Sequence, residues 1–313
     1  MEAEATKEIL LVALGGNALI GKGQAGEVTE QLDNLKLPIR QIVHLSQEYS
    51  VIITHGNGPQ VGNLLLQQES CEDVPRLPLE ILVAQTQGWI GYMIESTLDN
   101  ELMAQGWDSE TYLVSLISYV VVDENDPAFL HPSKPIGPVY SEEKAALLPF
   151  PTVKTAKGYR RVVASPCPVT IVEKREIKKL IGQGFIVVCC GGGGIPVVRE
   201  GRTFNGVDAV IDKDLASAKL AEEVGVDVFI IATDVAGAAL NYGQPDERYL
   251  RRMSVTEAVS HLAAGHFHPG SMGPKVEAAV EFIHRGGKRA VITSIEAIEQ
   301  AVKGRAGTEV VRD

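Results

Sequence analysis

The sequence predicts an α/β fold built on a mainly parallel sheet covered on both faces, and three observations carry the prediction. Short runs such as Ile9 to Leu14, Val51 to Thr54, Phe185 to Cys190, Val228 to Ala232 and Ala290 to Thr293 are apolar or nearly so, without the alternation of a half-exposed strand. Segments of helical periodicity separate them. Three of the runs end directly in glycine turns, at Gly15-Gly16, Gly56-Asn57-Gly58 and Gly191 to Gly194.

Each element follows from its residues. After the first run, Leu32, Leu35, Ile39, Ile42 and Val43 fall at helical spacing, with Pro38 among them expected to bend or interrupt the helix. Beyond Pro78, Leu82, Thr86, Ile90, Met93 and Ile94 mark a long helix with few charges, which could serve a partner subunit or an ordinary core. Val114 to Val122 reads as one strand. Between Asp123 and Pro168 eight prolines break all periodicity, so that stretch is an excursion from the main sheet. Alternation resumes with a helix around Ile177 to Ile181, the strand to Cys190, a helix from about Asp208 to Val224, and the strand from Val228. Ser254-Val255-Thr256-Glu257 is a capping box opening a helix to about Ala264. Pro274 starts another helix that Gly286-Gly287 ends, and Ala290 to Thr293 closes the set. In such a fold ligands gather beyond the strand C-termini, so the three glycine turns should meet along one edge.

Composition limits the chemistry. With 313 residues and 45% hydrophobic content the chain can bury a large core. A net charge of −11 and 5% aromatics speak against a nucleic-acid partner, because polyanions would be repelled and stacking surfaces are few. Any phosphate site must therefore gather its own lysines. The acidic start (Glu2, Glu4, Glu8) resembles no targeting signal and no run reaches the length of a membrane span, which reads as a cytoplasmic protein without a membrane partner. Cys71, Cys167, Cys189 and Cys190 show neither a metal-ligand nor a disulfide pattern, and no histidine is assigned to a metal.

Phosphate loops need residues without Cβ atoms, so that backbone N–H groups converge on oxygens at a helix N-terminus. Gly15-Gly16-Asn17 and Gly56-Asn57-Gly58 qualify, although glycine turns also end strands for purely structural reasons. Neither a P-loop nor a dinucleotide fingerprint occurs. Asp212-Lys213-Asp214 is a polar cluster between apolar stretches, readable as a site or as a solvated helix start. Lys275 sits in the first turn of its helix, where a cation opposes the dipole and something negative, such as a polyphosphate, should compensate it. Lys134 is held between prolines in Pro132 to Pro138, a stiff segment suited to presenting a lysine at fixed reach. His55 is the histidine best placed beside a glycine turn.

Taken together, Ala13 to Leu19, His55-Gly56-Asn57-Gly58-Pro59-Gln60-Val61-Gly62, Asp212 to Ala216, Asn241-Tyr242-Gly243 and Pro269 to Met272 resemble, in order and spacing, the carbamate kinases of the amino acid kinase family. Pro132 to Tyr140 and Arg160-Arg161-Val162-Val163-Ala164-Ser165-Pro166 are similar to segments peculiar to that branch. Most of the wider family carries a lysine before the first glycine turn; Ala13 stands there in this sequence, and the branch is understood to use the Asp-Lys-Asp lysine instead. Ala236-Gly237-Ala238-Ala239 departs from the bulkier or acidic residues common near the nucleotide.

The resemblance implies an open three-layer α/β/α sandwich in one continuous domain. Residues 1–184 would form an acceptor lobe with a protruding lid at about 123–168, and residues 185–313 an ATP lobe. It implies reversible phosphoryl transfer between ATP and carbamate, giving ADP and carbamoyl phosphate, by a homodimer. Lys213, Lys275, Asp214 and Lys134 would be catalytic. Gly15, Gly16, Asn17, Gly56, Asn57 and Gly58 would bind the acceptor and the transferred group. Asp212, Thr233, Asp234, Val235, Tyr242, Gly270, Ser271 and Met272 would bind nucleotide. Mg²⁺ would ride on the ATP phosphates without protein ligands. Carbamate is already an anion at neutral pH, so no general base is required.

Overall fold

A strand with no polar face must be covered on both sides, and Ile9–Leu14 (β1) is so covered: only Ile9 is not fully buried. The computed structural model describes residues 7–71, 73–155 and 158–313; the N-terminal reading of residues 1–6 lies outside these. After β1 come α1 (Val28–Ser46), β2 (Ser50–His55), α2 (Gly58–Glu69), α3 (Leu79–Gln105), β3 (Tyr112–Ser115) and β4 (Tyr119–Val122). The proline-rich stretch supplies β5 (Lys134–Tyr140), α4 (Glu142–Ala145), β6 (Thr152–Thr155) and β7 (Gly158–Val163). Then follow β8 (Pro168–Ile171), α5 (Lys174–Gly182), β9 (Phe185–Val188), β10 (Ile195–Glu200), β11 (Thr203–Gly206), α6 (Lys213–Val224) and β12 (Val228–Thr233). The chain continues through β13 (Ala239–Leu240), β14 (Arg248–Tyr249), β15 (Arg252–Ser254), α7 (Val255–Ala263), α8 (Met272–His284), β16 (Arg289–Ser294), α9 (Ile298–Val302) and β17 (Thr308–Val311).

Among the described residues the main sheet has the order β15-β17-β16-β12-β1-β2-β9-β3. Every neighbouring pair is parallel except β16 with β17. The two faces of β1 show the layering directly. Leu10, Val12 and Leu14 pack with apolar residues of α1, α3 and α9, whereas Leu11 and Ala13 pack with those of α5, α6, α7 and α8. The molecule is thus a three-layer α/β/α sandwich. A second sheet, β11-β10-β4-β8, flanks it, and β5-β7-β6 forms a small antiparallel sheet outside the sandwich. No helix among the described residues is long and apolar enough to cross a membrane.

Five expectations are corrected. Pro38 does not interrupt α1, which runs unbroken through it. An interior proline costs about 3 kcal/mol, but Leu35, Ile39, Ile42 and Val43 are fully buried and contribute about 1.5–3 kcal/mol each. The run Val114 to Val122 is two strands in two sheets. Leu116 N–H still bonds Val188 O at 2.8 Å, Ser118 N–H turns to Gln87 Oε1 at 2.8 Å, and the chain has changed sheets by Tyr119. The helix expected from Asp208 begins at Lys213, because Asp212 is its N-cap, accepting Asp214 N–H at 2.9 Å. Residues 208–211 instead bend at Asp208 and pair with Ala164, with Val210 N–H on Ala164 O at 3.0 Å. The helix attributed to Pro274 starts two residues earlier, at Met272. Finally, Ala290 to Thr293 does not close the sheet, since β17 adds on beyond it.

Candidate active site

Because β1, β2, β9 and β12 are parallel, their C-terminal turns emerge on one edge. There Gly15, Gly16, Asn17, Gly56, Asn57, Gly58 and Gly192 line a cleft of about 410 Å³ together with Lys134, Asp212, Lys213, Asp214, Gly270, Ser271 and Lys275. A second cavity of about 200 Å³ is lined by Val235, Tyr242, Met272, Gly237, Ala239, His266 and His268, and it shares Thr233, Asp234, Ser271 and Lys275 with the first. The shared lining makes the two cavities neighbours across the end of β12. Every residue to which the resemblance gives a catalytic or binding role borders one or other of them, whereas His55 lines neither.

The floor of the cleft is backbone. The Gly15 N–H continues the ladder to Ala232 O at 3.0 Å and Gly56 N–H to Leu14 O at 3.0 Å, which fixes both turns against the sheet. Asn57 caps α2, and its Nδ2 donates to Thr86 Oγ1 on α3 at 2.9 Å. The tetraglycine turn after β9 packs directly beneath. A Cβ on Gly191 would lie 2.3 Å from His55 Nε2, and one on Gly192 would lie 2.2 Å from Asn57 Nδ2. Those glycines are therefore required by close approach of two turns. Gln87 pins the arrangement from α3, donating to Ser118 O and Gly191 O, both at 3.1 Å.

His55, the histidine that drew attention in the sequence, does not face the cleft as an acid or base. It is 2% exposed, its Nδ1–H donates to Gly56 O at 3.1 Å, and burial with a smaller push from Lys213 lowers its pKa to about 4. It is a neutral structural ring.

The charged wall comes from the N-termini of two helices. Lys213 opens α6, and its amine bonds one oxygen of Asp214; Lys275, in the first turn of α8, reaches the other at 2.8 Å. The expected compensation of Lys275 is thus supplied by Asp214. Burial would raise the Asp214 pKa, but the two ammonium groups outweigh it and hold the carboxyl well below the usual range. Burial lowers Lys213, whereas for Lys275 the attraction of Asp214 overcomes burial and raises it. Lys134 at the start of β5 meets Asp212 Oδ2 at 2.6 Å. Among the described residues no group of three or more His, Cys, Asp or Glu side chains is placed to hold a metal.

Several residues that shape the site escaped sequence reasoning. Gln87 lies one position from Thr86 on α3, and a buried amide there was the available signal. Thr54 Oγ1 meets Ser217 Oγ at 2.7 Å, tying β2 to α6, and Ser217 Oγ donates to Lys213 O at 2.7 Å. Thr308 Oγ1 accepts Ala238 N–H at 2.8 Å, and a Cβ on Gly237 would meet that oxygen at 2.5 Å, which accounts for the glycine at 237 by packing.

A family model described as the amino acid kinase family matches residues 8–294. Carbamate kinase from Thermococcus kodakarensis is 48% identical over 314 residues, covering 97% of this chain and 99% of that protein. Carbamate kinase from Pyrococcus furiosus is 48% identical over 311 residues, covering 96% and 98%. Among solved structures, carbamate kinase from Giardia lamblia bound to AMP-PNP is similar with a TM-score of 0.90 at 40% identity, covering 98% of this chain and 99% of that one.

Proposed function

This chain belongs to the amino acid kinase family, in its carbamate kinase branch, and from that premise we propose how its cleft moves a phosphoryl group between ATP and carbamate. The observation that carries the reading is the sharing of one buried carboxylate, Asp214, by Lys213 and Lys275 in a cleft floored by glycine turns.

Phosphoryl transfer offers a protein little covalent chemistry, so positioning and electrostatics must do most of the catalysis. Bringing an anion to within about 4 Å of a polyanion costs roughly 4 kcal/mol per charge pair at an effective dielectric of ~20. Lys213 and Lys275 offset that cost on the transferring phosphoryl, with Asp214 fixing both ammonium groups. The backbone at Gly15, Gly16 and Asn17 holds the phosphoryl group. Gly56, Asn57 and Gly58, at the N-terminus of α2, hold carbamate, and Lys134 pins it from above. Asp234, Val235, Tyr242 and Met272 border the nucleoside end, with Thr233, Gly270 and Ser271 toward the phosphates. Residues 1–184 act as acceptor lobe, with 123–168 as lid, and 185–313 as nucleotide lobe. With Asp212 and Asp214 engaged by lysines, magnesium would be held by the nucleotide's own phosphates rather than by these carboxylates, and would supply charge neutralisation there.

We assign the protein to the cytoplasm as a homodimer that makes ATP from carbamoyl phosphate during arginine or other nitrogen breakdown. Measuring ATP formation from ADP and carbamoyl phosphate, beside a panel of carboxylate acceptors such as acetylglutamate in the forward direction, tests the reading. ATP formation with carbamoyl phosphate and no turnover of larger acceptors is expected. Preference for a larger carboxylate would overturn it.

A further inference from the structure

Asp212 has both carboxylate oxygens in use, and neither use is explained by phosphoryl transfer. Its Oδ1 accepts Asp214 N–H at 2.9 Å as the N-cap of α6, and its Oδ2 accepts Lys134 Nζ at 2.6 Å. We propose that Asp212 is a positioning residue, a latch that joins β5 to the N-terminus of α6 and so sets where Lys134 stands over the cleft. The proposal rests on the reading that Lys134 acts on the acceptor, and it replaces the nucleotide contact that the family resemblance implies for Asp212.

Among the described residues, the small sheet is held from two sides and at the mouth of the cleft, where Lys134 meets Asp212. On one side β5 lies on α2 with backbone almost touching backbone: a Cβ on Gly62 would be 3.4 Å from Gly137 Cα, and Gly137 itself has φ +71°. On the other side Ala164 bridges Ala209 in parallel pairing, and Arg161 Nη2 meets Asp208 Oδ2 at 2.8 Å. Arg161, from the Arg160 to Pro166 segment that the reaction leaves unused, thus fastens the sheet to the bend at Asp208 that leads into α6. Asp208 is 60% exposed, so this pair is solvent-screened and sets registry more than strength. The Lys134–Asp212 pair is better shielded, at 35% and 14% exposure.

The same arrangement speaks against Asp212 as a phosphate neighbour. An ionised carboxylate facing a polyphosphate repels it, whereas one that holds a lysine and caps a helix has a use for its charge. Because Lys213 and Asp214 are the first two residues of α6, one carboxylate aligns the lid lysine with the lysine pair below it.

Asp212→Asn keeps a good N-cap but removes the charge that holds Lys134. Steady-state kinetics with ADP and carbamoyl phosphate should show kcat lower by about tenfold or more, a raised KM for carbamoyl phosphate, and a KM for ADP within about twofold of normal. Adding Lys134→Met to this variant should make it no slower than Lys134→Met alone. Should the Asn variant fail to fold, Asp212→Ser, another N-cap, carries the same comparison. A raised KM for ADP alone, or losses that multiply in the double variant, would overturn the latch. So would normal Asp212→Asn kinetics beside a crippled Lys134→Met. Near-normal Lys134→Met kinetics would remove Lys134 from the acceptor site and the latch with it.

Discussion

The two ends of the cleft, which we propose take the acceptor and the nucleoside, are built in opposite ways. At the acceptor end the wall is buried backbone: His55, Asn57 and Gly191 to Gly194 are all buried, and two glycine turns are packed so closely that a methyl group on either Gly191 or Gly192 would collide with the turn above. At the nucleoside end the lining is mostly side chains in contact with solvent, including Asp234, His268, Ser271 and a Tyr242 that is 61% exposed. A rigid backbone cradle can recognise one small anion and little else. Side chains free to repack suit the larger, more variable surface of a nucleoside. The contrast teaches that substitutions at the first end should act on stability, turnover and the grip on carbamoyl phosphate together, and at the second on nucleotide affinity alone.

The largest effect expected is at the junction of the two ends. Lys213→Ala and Lys275→Ala should each lower kcat by about 10²- to 10³-fold while circular dichroism and thermal melting report an intact fold. Near-normal turnover in either variant removes that lysine from the catalytic set. Next comes acid sensitivity of the acceptor end. His55 titrates near 4 when folded against 6.5 as its ordinary value, so between these the unfolded chain binds the extra proton. Stability should be full above pH 6.5 and fall by about 3 kcal/mol as pH drops toward 4. Urea unfolding of wild type and His55→Gln across that window should give a steeper fall in the wild type; parallel slopes would mean that the ring is not buried neutral.

A smaller loss is expected for Gly192→Ala, which must adopt φ +66° and displace Asn57: about 1–3 kcal/mol of stability, with a raised KM for carbamoyl phosphate. Unchanged melting and kinetics would show that the turns have slack. The smallest effect belongs to the nucleoside end, where Tyr242→Ala should raise the KM for ADP by about 2- to 10-fold and leave kcat nearly untouched. A large fall in kcat there would erase the distinction between the two ends.

Much of this was legible in the residues. The buried strands declare themselves because continuous apolar runs have no exposed face, and the glycine turns at their ends follow from parallel topology. The proline-dense excursion was visible as a break, but its three strands were not, since prolines mask any alternation. The split at Leu116 to Ser118 and the late start of α6 were hidden because each depends on a distant partner: Gln87 for the first, Ala164 and Lys134 for the second. The same reason concealed what His55 does. Its neighbour Gly191 is remote in the chain, and no local pattern announces that two turns will stack. The three lysines and Asp214 could be named through family resemblance, whereas the sharing of Asp214 by Lys213 and Lys275, and the pairing of Lys134 with Asp212, are properties of folded space.

The insertion of β17 between β15 and β16 has a consequence for truncation. Without residues 308–311, Arg252–Ser254 and Arg289–Ser294 would each present a bare hydrogen-bonding edge on that side, because β17 is the strand that pairs with both. Loss of four residues would thus open two strand edges at once, a form prone to edge-to-edge association.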